Sequence, residues 1–143
     1  MVHIYEYKNF SKSHKLSGVA LLVEDKICLV LPKKFKGKKK YSIPKGHIEN
    51  GLPYNSALSE LIEETGLDIS DKRYDRIIDY TYNKKGVEKY LKVYVYDLSK
   101  DEFNSIPKYN HNKKEIFKVK LVNRKRAKKL VENHFSDLID FLF

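Results

Sequence analysis

The stretch from Tyr41 to Leu67 constrains this sequence most, because a loop rich in turn residues runs directly into a helix with two unlike faces. Its three glutamates fall on one side at about 100° per residue: Glu60, Glu63 and Glu64. The opposite side is mostly apolar: Tyr54, Leu58, Leu61, Ile62 and Thr65. One face can therefore pack on a core, while crowded carboxylates repel one another unless a cation shares them. The pattern predicts a divalent-metal site.

Length and composition indicate a folded chain rather than a disordered or membrane-spanning one. The 143 residues predict one domain, residues 1–143, and a hydrophobic fraction of 41% allows a substantial core. No apolar run reaches about 18 residues, and the polar start lacks a signal-peptide core. The single cysteine, Cys28, sits in an apolar run and is expected to be buried. We therefore expect a cytoplasmic protein without membrane contact.

The net charge of +10 indicates an acidic partner, which means a nucleic acid, a nucleotide or a polyphosphate. Six lysines cluster in the segment Lys33–Lys40, directly before the metal-binding stretch. This segment is either a solvated loop or a basic flap that holds phosphates or an RNA backbone. In the second interpretation Lys38, Lys39 and Lys40 contact substrate.

Alternating and short apolar runs predict the strands: 2–7, 16–23, 27–31, 76–82, 88–98 and 116–122. The second and third runs form a hairpin that ends at Pro32. In the fifth run, Val93 and Val95 alternate with Tyr94 and Tyr96. The tyrosine rings either cover the core or stack on a base.

The remaining segments complete a mixed architecture. Residues 83–86 are predicted to form a turn, and residues 99–114 a polar loop. Gly66 is expected to cap the glutamate-bearing helix, and Asn123 to begin a helix over residues 124–131. A last helix is predicted over residues 135–143. Strands and helices in this irregular order predict an α+β or mixed α/β sandwich.

The segment Glu60–Leu67, which reads ELIEETGL, resembles the second half of the Nudix box, Arg-Glu-aliphatic-X-Glu-Glu-X-Gly-aliphatic. Pro44–Glu49 is similar to the loop that opens the family's box, and the paired strands before the box and the run Glu115–Val131 match the family's layout. The resemblance implies an α/β fold: a Nudix-like α/β/α sandwich with a mixed central sheet, a catalytic loop-helix and C-terminal helices.

The box departs from the family pattern in three ways. The spacing from Gly46 to Glu60 is one residue shorter, Gly51 and Leu52 stand at the family's first Glu position, and Ser59 replaces the box Arg. The last two changes remove both ends of one charge-assisted ion pair. They are compatible with a working but altered site, or with a module that binds without catalysis.

The resemblance also implies roles for individual residues. Glu63 and Glu64 match metal ligands, Glu60 matches the glutamate that ligates metal or activates water, and the Gly46 carbonyl matches a further ligand. Mg²⁺ suits these oxygen donors, with Mn²⁺ as an alternative. Glu115 is the candidate carboxylate from outside the box, ahead of Asp101 and Glu102. Lys45 is a candidate phosphate contact and His47 a weaker one, and the histidine spacing gives zinc no support.

The implied function is metal-dependent cleavage of a phosphoanhydride in a nucleoside diphosphate linked to another group. A dinucleoside polyphosphate and the 5′ cap of RNA are the leading substrates. ADP-ribose, nucleoside triphosphates, oxidised nucleotides and diphosphoinositol polyphosphates remain open, because the box does not determine the substrate. The alternative is a non-catalytic nucleotide- or RNA-binding module. No oligomeric state is predicted.

Overall fold

The fold is organised around a mixed β-sheet. The computed structural model describes residues 11, 14–109 and 115–143, without the side chain of Phe117. The strands are β1 (Lys15–Val23), β2 (Lys26–Pro32), β3 (Lys45–His47), β4 (Arg76–Lys84), β5 (Val87–Leu98) and β6 (Ile116–Asn123). Within the described residues their order is β4-β5-β1-β2-β6, with β3 paired to β1. The strand predicted at residues 2–7 lies outside the described residues.

The helices lie on both faces of the sheet. They are α1 (Pro53–Thr65), α2 (Lys100–Asn104), α3 (Arg124–Leu130) and α4 (Ser136–Leu142), with 3₁₀ turns at Lys33–Phe35 and Asn133–Phe135. In the described part of the chain, no helix has the length and apolar character needed to cross a bilayer.

Strand β1 lies at the centre of the sheet. It runs parallel to β5 along its whole length, from the pair Lys15–Tyr90 to the pair Val23–Leu98. Its other edge is shared, because β3 pairs near its start and β2 pairs near its end. All of its residues after Lys15 are buried, which explains why its sequence is a nearly continuous apolar run. The predicted β1–β2 hairpin is confirmed.

Two hydrophobic cores lie on opposite faces of the sheet, and β5 contributes alternate residues to each. Val93 and Val95 pack in the core that includes α3, α4 and Phe135. Tyr94 and Tyr96 pack in the core that includes Ala57 and Leu61 of α1, and the burial of Cys28 in this second core is confirmed. The predicted α/β/α sandwich is therefore confirmed, and the two tyrosine rings cover core.

Helix α1 has the predicted end and most of the predicted packing face, although Ile62 is only half-buried and belongs to neither core. Pro53 occupies its first turn, and Gly66 ends it in the left-handed conformation, with φ of +79° and its N–H bonded to the Ile62 carbonyl. Ala57, Leu61 and Thr65 are buried on the side that faces the sheet. The helix is thus held by its apolar side, and its glutamates lie along the other.

The prediction of an uninterrupted loop after β5 is wrong for residues 100–104, which form α2. The Ser99 hydroxyl accepts a hydrogen bond from the Glu102 N–H at 3.1 Å, and the Ser99 N–H donates to the Glu102 carboxylate at 2.9 Å. This reciprocal pair is a capping box, which a Ser-X-X-Glu sequence favours. The same capping box holds the carboxylate of Glu102, a lesser candidate metal ligand, at the start of α2. Residues 110–114 lie outside the described residues.

The turn between β4 and β5 is shorter than predicted. The strands extend to Lys84 and from Val87, which leaves a two-residue turn. Lys85 and Gly86 both have positive φ, 52° and 79°, as tight hairpin turns require.

The helix cap predicted at Asn123 is confirmed, because the Asn123 side chain accepts a hydrogen bond from the Arg126 N–H at 2.9 Å. The predicted last helix is found as α4.

Replacing Gly66 by alanine should destabilise the fold more than the same change at Gly86. Both glycines have φ of +79°, but a Cβ at Gly66 would lie 1.9 Å from the Tyr109 carbonyl oxygen, whereas a Cβ at Gly86 would meet nothing within 4 Å. Gly86→Ala should lower the free energy of unfolding by about 1 kcal/mol through backbone strain alone. Gly66→Ala should lower it by about 2–4 kcal/mol, because overpacking adds to that strain. Urea denaturation measures both, and equal losses would contradict the close approach at Gly66.

Candidate metal centre and phosphate cavity

The loop that precedes α1 is fastened to the centre of the sheet. Ser42 exchanges two backbone hydrogen bonds with Val30 of β2, at 2.9 and 3.0 Å. The Pro44 carbonyl accepts from the Val19 N–H at 3.1 Å. Gly46 then pairs with Ser17 through β3. These backbone bonds fix the loop independently of its side chains.

Ser56 joins the end of this loop to the first turn of α1. Its hydroxyl accepts from the Glu49 N–H at 2.9 Å and donates to the Leu52 carbonyl at 2.8 Å. A helix without a side-chain cap leaves its first N–H groups unpaired, and α1 has no such cap. The Ser56 contacts instead hold the loop and the helix start in one arrangement.

Glu60 and Glu64 meet one turn apart on α1, where their carboxyl groups share a hydrogen bond. Gly46 packs directly against this pair, because a Cβ there would lie 2.2 Å from the Glu60 carboxyl carbon. The Lys45 backbone N–H donates to the Glu64 carboxylate. Glycine at position 46 therefore allows the loop to approach the two acids.

The shared environment raises the pKa of both acids. Burial is the main cause for Glu60, with repulsion from Glu63, Glu115 and Glu49 added, while the hydrogen bond from Glu64 acts in the opposite direction. Burial is also the main cause for Glu64, followed by its hydrogen bond to Glu60 and the Glu60 charge; Lys45 partly offsets them. Without a cation, the pair retains a proton near neutral pH.

The donors at this pair have the chemistry that a divalent cation requires. Within the described ranges, no three His, Cys, Asp or Glu side chains stand together in ligand geometry. Glu60 and Glu64 nevertheless supply two hard oxygen donors in contact, and they hold a proton that a cation can displace. The cradle at Gly46 fits the same group, because its missing Cβ leaves the Glu60 carboxyl room. Glu63, on the exposed side of α1, is the next carboxylate along the helix.

A cavity of about 400 Å³ opens beside Glu64. Its polar lining consists of Lys33, Lys34, Ser42, Lys45, Glu64 and Glu115. The Lys33 N–H donates to the Glu115 carbonyl at 2.8 Å, which joins the two sides of the opening. Lysines next to acids form a place where phosphate oxygens and a cation can be bound together.

A second hollow of about 260 Å³ lies along the other side of the pair. Glu60 and Glu63 line it together with His47, Glu49 and Ser59. Ser59, at the position of the box Arg, is exposed. The predicted ligands are thus divided: Glu64 and Glu115 face the first cavity, while Glu60 and Glu63 face the second hollow.

The structure separates the predicted lysines. Lys45 lines the first cavity, as expected of a phosphate contact. Lys39 and Lys40 instead line a different cavity beside the β4–β5 turn, and Lys38 is exposed, with its N–H bonded to the Phe35 carbonyl. The lysines of the flap that face Glu64 are Lys33 and Lys34, which sequence reasoning did not select.

The missed residues had a detectable signal. Lys33 follows Pro32, whose partner in β6 is Ile116, so pairing the two predicted strands would have placed Lys33 beside Glu115. Glu49, whose negative charge helps to raise the pKa of Glu60, lies close in sequence to the opening glycine of the box.

The burial of Cys28 raises the pKa of its thiol to about 12, so this group stays protonated and is a poor nucleophile.

Comparisons with known proteins identify the family and the fold. The NUDIX domain model matches residues 13–140. A C. elegans Ap4A hydrolase has a TM-score of 0.65 at 18% identity, over 88% of this chain and 92% of that one. An NMN adenylyltransferase/ADP ribose pyrophosphatase from Francisella tularensis, complexed with AMP and a manganese ion, has a TM-score of 0.67 at 21% identity, over 97% of this chain and 44% of that one. A UDP-X diphosphatase has a TM-score of 0.63 at 17% identity, over 97% and 68%.

No curated protein sequence matches this chain. The family model nevertheless spans nearly all of its 143 residues, and the solved structures share its sandwich fold. The glutamates that match the family's box lie on α1 away from its core-facing side: Glu63 is exposed, while Glu60 and Glu64 are partly buried, with Glu60 against the loop at Gly46. The chain belongs to the Nudix family and is a hydrolase that acts on phosphoanhydrides.

Proposed function

We propose that this protein is an Mg²⁺-dependent pyrophosphohydrolase whose substrate is a dinucleoside polyphosphate or the 5′ cap of RNA. The observation that carries the proposal is the Glu60–Glu64 contact at the edge of a cavity lined by Lys33, Lys34 and Lys45. Glu64 lines this cavity together with the lysines, and Glu60 contacts Glu64 from the second hollow. The alternative cation is Mn²⁺.

Each residue has a part in the proposed reaction. Glu63 and Glu64 would hold the cation, with the Gly46 carbonyl and Glu115 as further donors, and Glu60 would either ligate it or act on the attacking water. When bound, the cation would polarise the phosphoanhydride and activate the attacking water. Where Glu60 is not itself a ligand, its carboxylate would accept the proton that this water releases as the water oxygen attacks phosphorus. The bridging P–O bond breaks with its electron pair on the leaving phosphate, whose charge Lys33, Lys34 and Lys45 stabilise.

Support for a nucleotide substrate comes from the neighbours and from charge. The C. elegans neighbour is an Ap4A hydrolase and the Francisella tularensis neighbour an ADP-ribose pyrophosphatase, and both of those substrates contain an adenosine phosphoanhydride. The exposed lysines of residues 33–40 suit a longer polyanion, such as a dinucleoside polyphosphate or capped RNA. A substrate panel with these compounds, ADP-ribose, nucleoside triphosphates and diphosphoinositol polyphosphates, under Mg²⁺ and Mn²⁺, would select among them.

Removing one carboxylate charge from the pair should abolish metal-dependent turnover. Glu64→Gln should lower kcat/KM by about 100-fold or more, because the substitution replaces a negatively charged carboxylate ligand by a neutral amide. Glu63→Gln should act in the same direction. Glu88→Gln, at the exposed start of β5, removes the same charge outside the acid pair and should leave the rate unchanged. Release of mononucleotide measures the rate, and circular dichroism checks that each variant is folded.

This experiment also separates the enzyme from a non-catalytic binding module, which the loss of the box Arg at Ser59 favours. A module would bind nucleotide or RNA but show no metal-dependent turnover of any compound in the panel. Wild-type rates in both Glu63→Gln and Glu64→Gln would instead show that the assigned ligands are wrong.

The acid pair should also make metal-free stability depend on pH. In the unfolded chain these carboxyls ionise near the ordinary value of 4.5, whereas the folded pair keeps its proton to higher pH. The folded state then binds more protons, so its free energy of unfolding falls as pH rises above about 5. Glu64→Gln should flatten that fall. Urea denaturation in EDTA from about pH 5 to 8 measures it, and parallel profiles for the two proteins would contradict the shared proton.

A further inference from the structure

A third cavity, of about 380 Å³, lies outside the acid pair. It is bounded by the end of the basic segment, the β4–β5 turn and the 3₁₀ turn after α3. Its charged and ring-bearing lining consists of Lys39, Lys40, Lys84, Lys85, Glu132 and His134. Four lysines from two distant parts of the sequence therefore converge on one opening.

The charge of this cavity is mostly uncompensated. Glu132 is its acidic lining residue, and Lys84 lies 3.8 Å from it. Among the described residues, no carboxylate is within ion-pairing distance of Lys39, Lys40 or Lys85. Clustered cations without acidic partners favour binding of a multiply charged anion.

One wall of the cavity is formed by a stacked imidazole ring. The His134 ring stacks on Tyr82, with centroids 4.9 Å apart and planes 8° from parallel. Its Nε2 lies 2.8 Å from a Glu132 oxygen, yet outside hydrogen-bond geometry, and makes no hydrogen bond within the described chain. A packed aromatic wall keeps the opening formed without a ligand, so little ordering free energy opposes binding.

Two contacts place this cavity next to the one beside Glu64. Lys34 lines the first cavity and Lys40 the third, and their ammonium groups lie 5.0 and 4.9 Å from the centre of the Phe35 ring. The two charges are therefore at most about 10 Å apart. Lys45 also lines the first cavity, and its ammonium group lies over the ring of Phe135, the residue after His134.

We propose that the third cavity is a distal phosphate site, which binds phosphates of the substrate beyond the anhydride that is cleaved beside Glu64. The inference rests on the proposed function, and it narrows the substrate class to polyphosphate chains longer than a diphosphate. The linked lysines allow one chain to extend from Lys33 and Lys34 to Lys39 and Lys40. In a diphosphate-linked compound such as ADP-ribose, the two phosphates would occupy the first cavity and leave none for the distal lysines.

Binding of inorganic tripolyphosphate tests the site without catalysis. Calorimetry in EDTA should show that the double variant Lys39→Ala/Lys40→Ala weakens binding roughly tenfold. The matched control is Lys26→Ala/Lys100→Ala, which removes two lysine charges at the start of β2 and the start of α2, outside the cavity. This control should bind tripolyphosphate as the wild type does. Unchanged affinity in the first variant, or an equal loss in the control, would overturn the proposal.

Kinetics supply a second readout that is specific to phosphate number. The ratio of the KM for Ap4A to the KM for ADP-ribose should rise roughly tenfold in Lys39→Ala/Lys40→Ala, with kcat for Ap4A retained. An unchanged ratio would contradict a distal site. If the wild type hydrolyses neither these compounds nor capped RNA, the proposed function fails, and the calorimetric result still decides whether the cavity binds polyphosphate.

Discussion

The contact between the carboxyl groups of Glu60 and Glu64 is the interaction on which the rest of the site depends. The two acids meet because α1 packs its apolar side on the sheet and the loop at Gly46 approaches from the other side. Two ionised carboxylates cannot remain this close in a partly buried setting, so a proton or a cation must accompany them. The packing that fixes α1 therefore creates a need for a bound proton or cation, and a cation held there would couple metal binding to folding.

The altered Nudix box changes how this pair is held. In the family pattern an Arg of the helix orients a carboxylate, whereas Ser59 stands there in this chain. Here the Lys45 backbone N–H binds Glu64, and the Lys45 charge partly offsets its burial. In this chain the loop therefore orients Glu64, and backbone bonds to β1 and β2 set the position of the loop. A backbone donor cannot be lost through a point substitution other than to proline.

Much of the fold could be predicted because it depends on local patterns. Alternation in β5 separated Val93 and Val95 from Tyr94 and Tyr96, and the left-handed end of α1 at Gly66 required a residue without a Cβ. The distribution of the lysines could not be predicted, because it depends on how residues 33–40 fold around Phe35. That path places Lys34 and Lys40 on one ring and in two different cavities, a tertiary arrangement that periodicity does not encode. Helix α2, by contrast, could have been predicted, because its Ser99–Glu102 capping box is present in the sequence.

The parallel pairing of β1 with β5 has a consequence for how the chain reaches this structure. The β1–β2 hairpin is local, but the partner on the other edge of β1 begins at Val87, far along the chain. Pairings of such sequence separation slow folding, because a long loop must close before they form. During synthesis this edge of β1 stays unpaired until β5 has left the ribosome. Until then, the apolar strand is a surface on which chaperones can act.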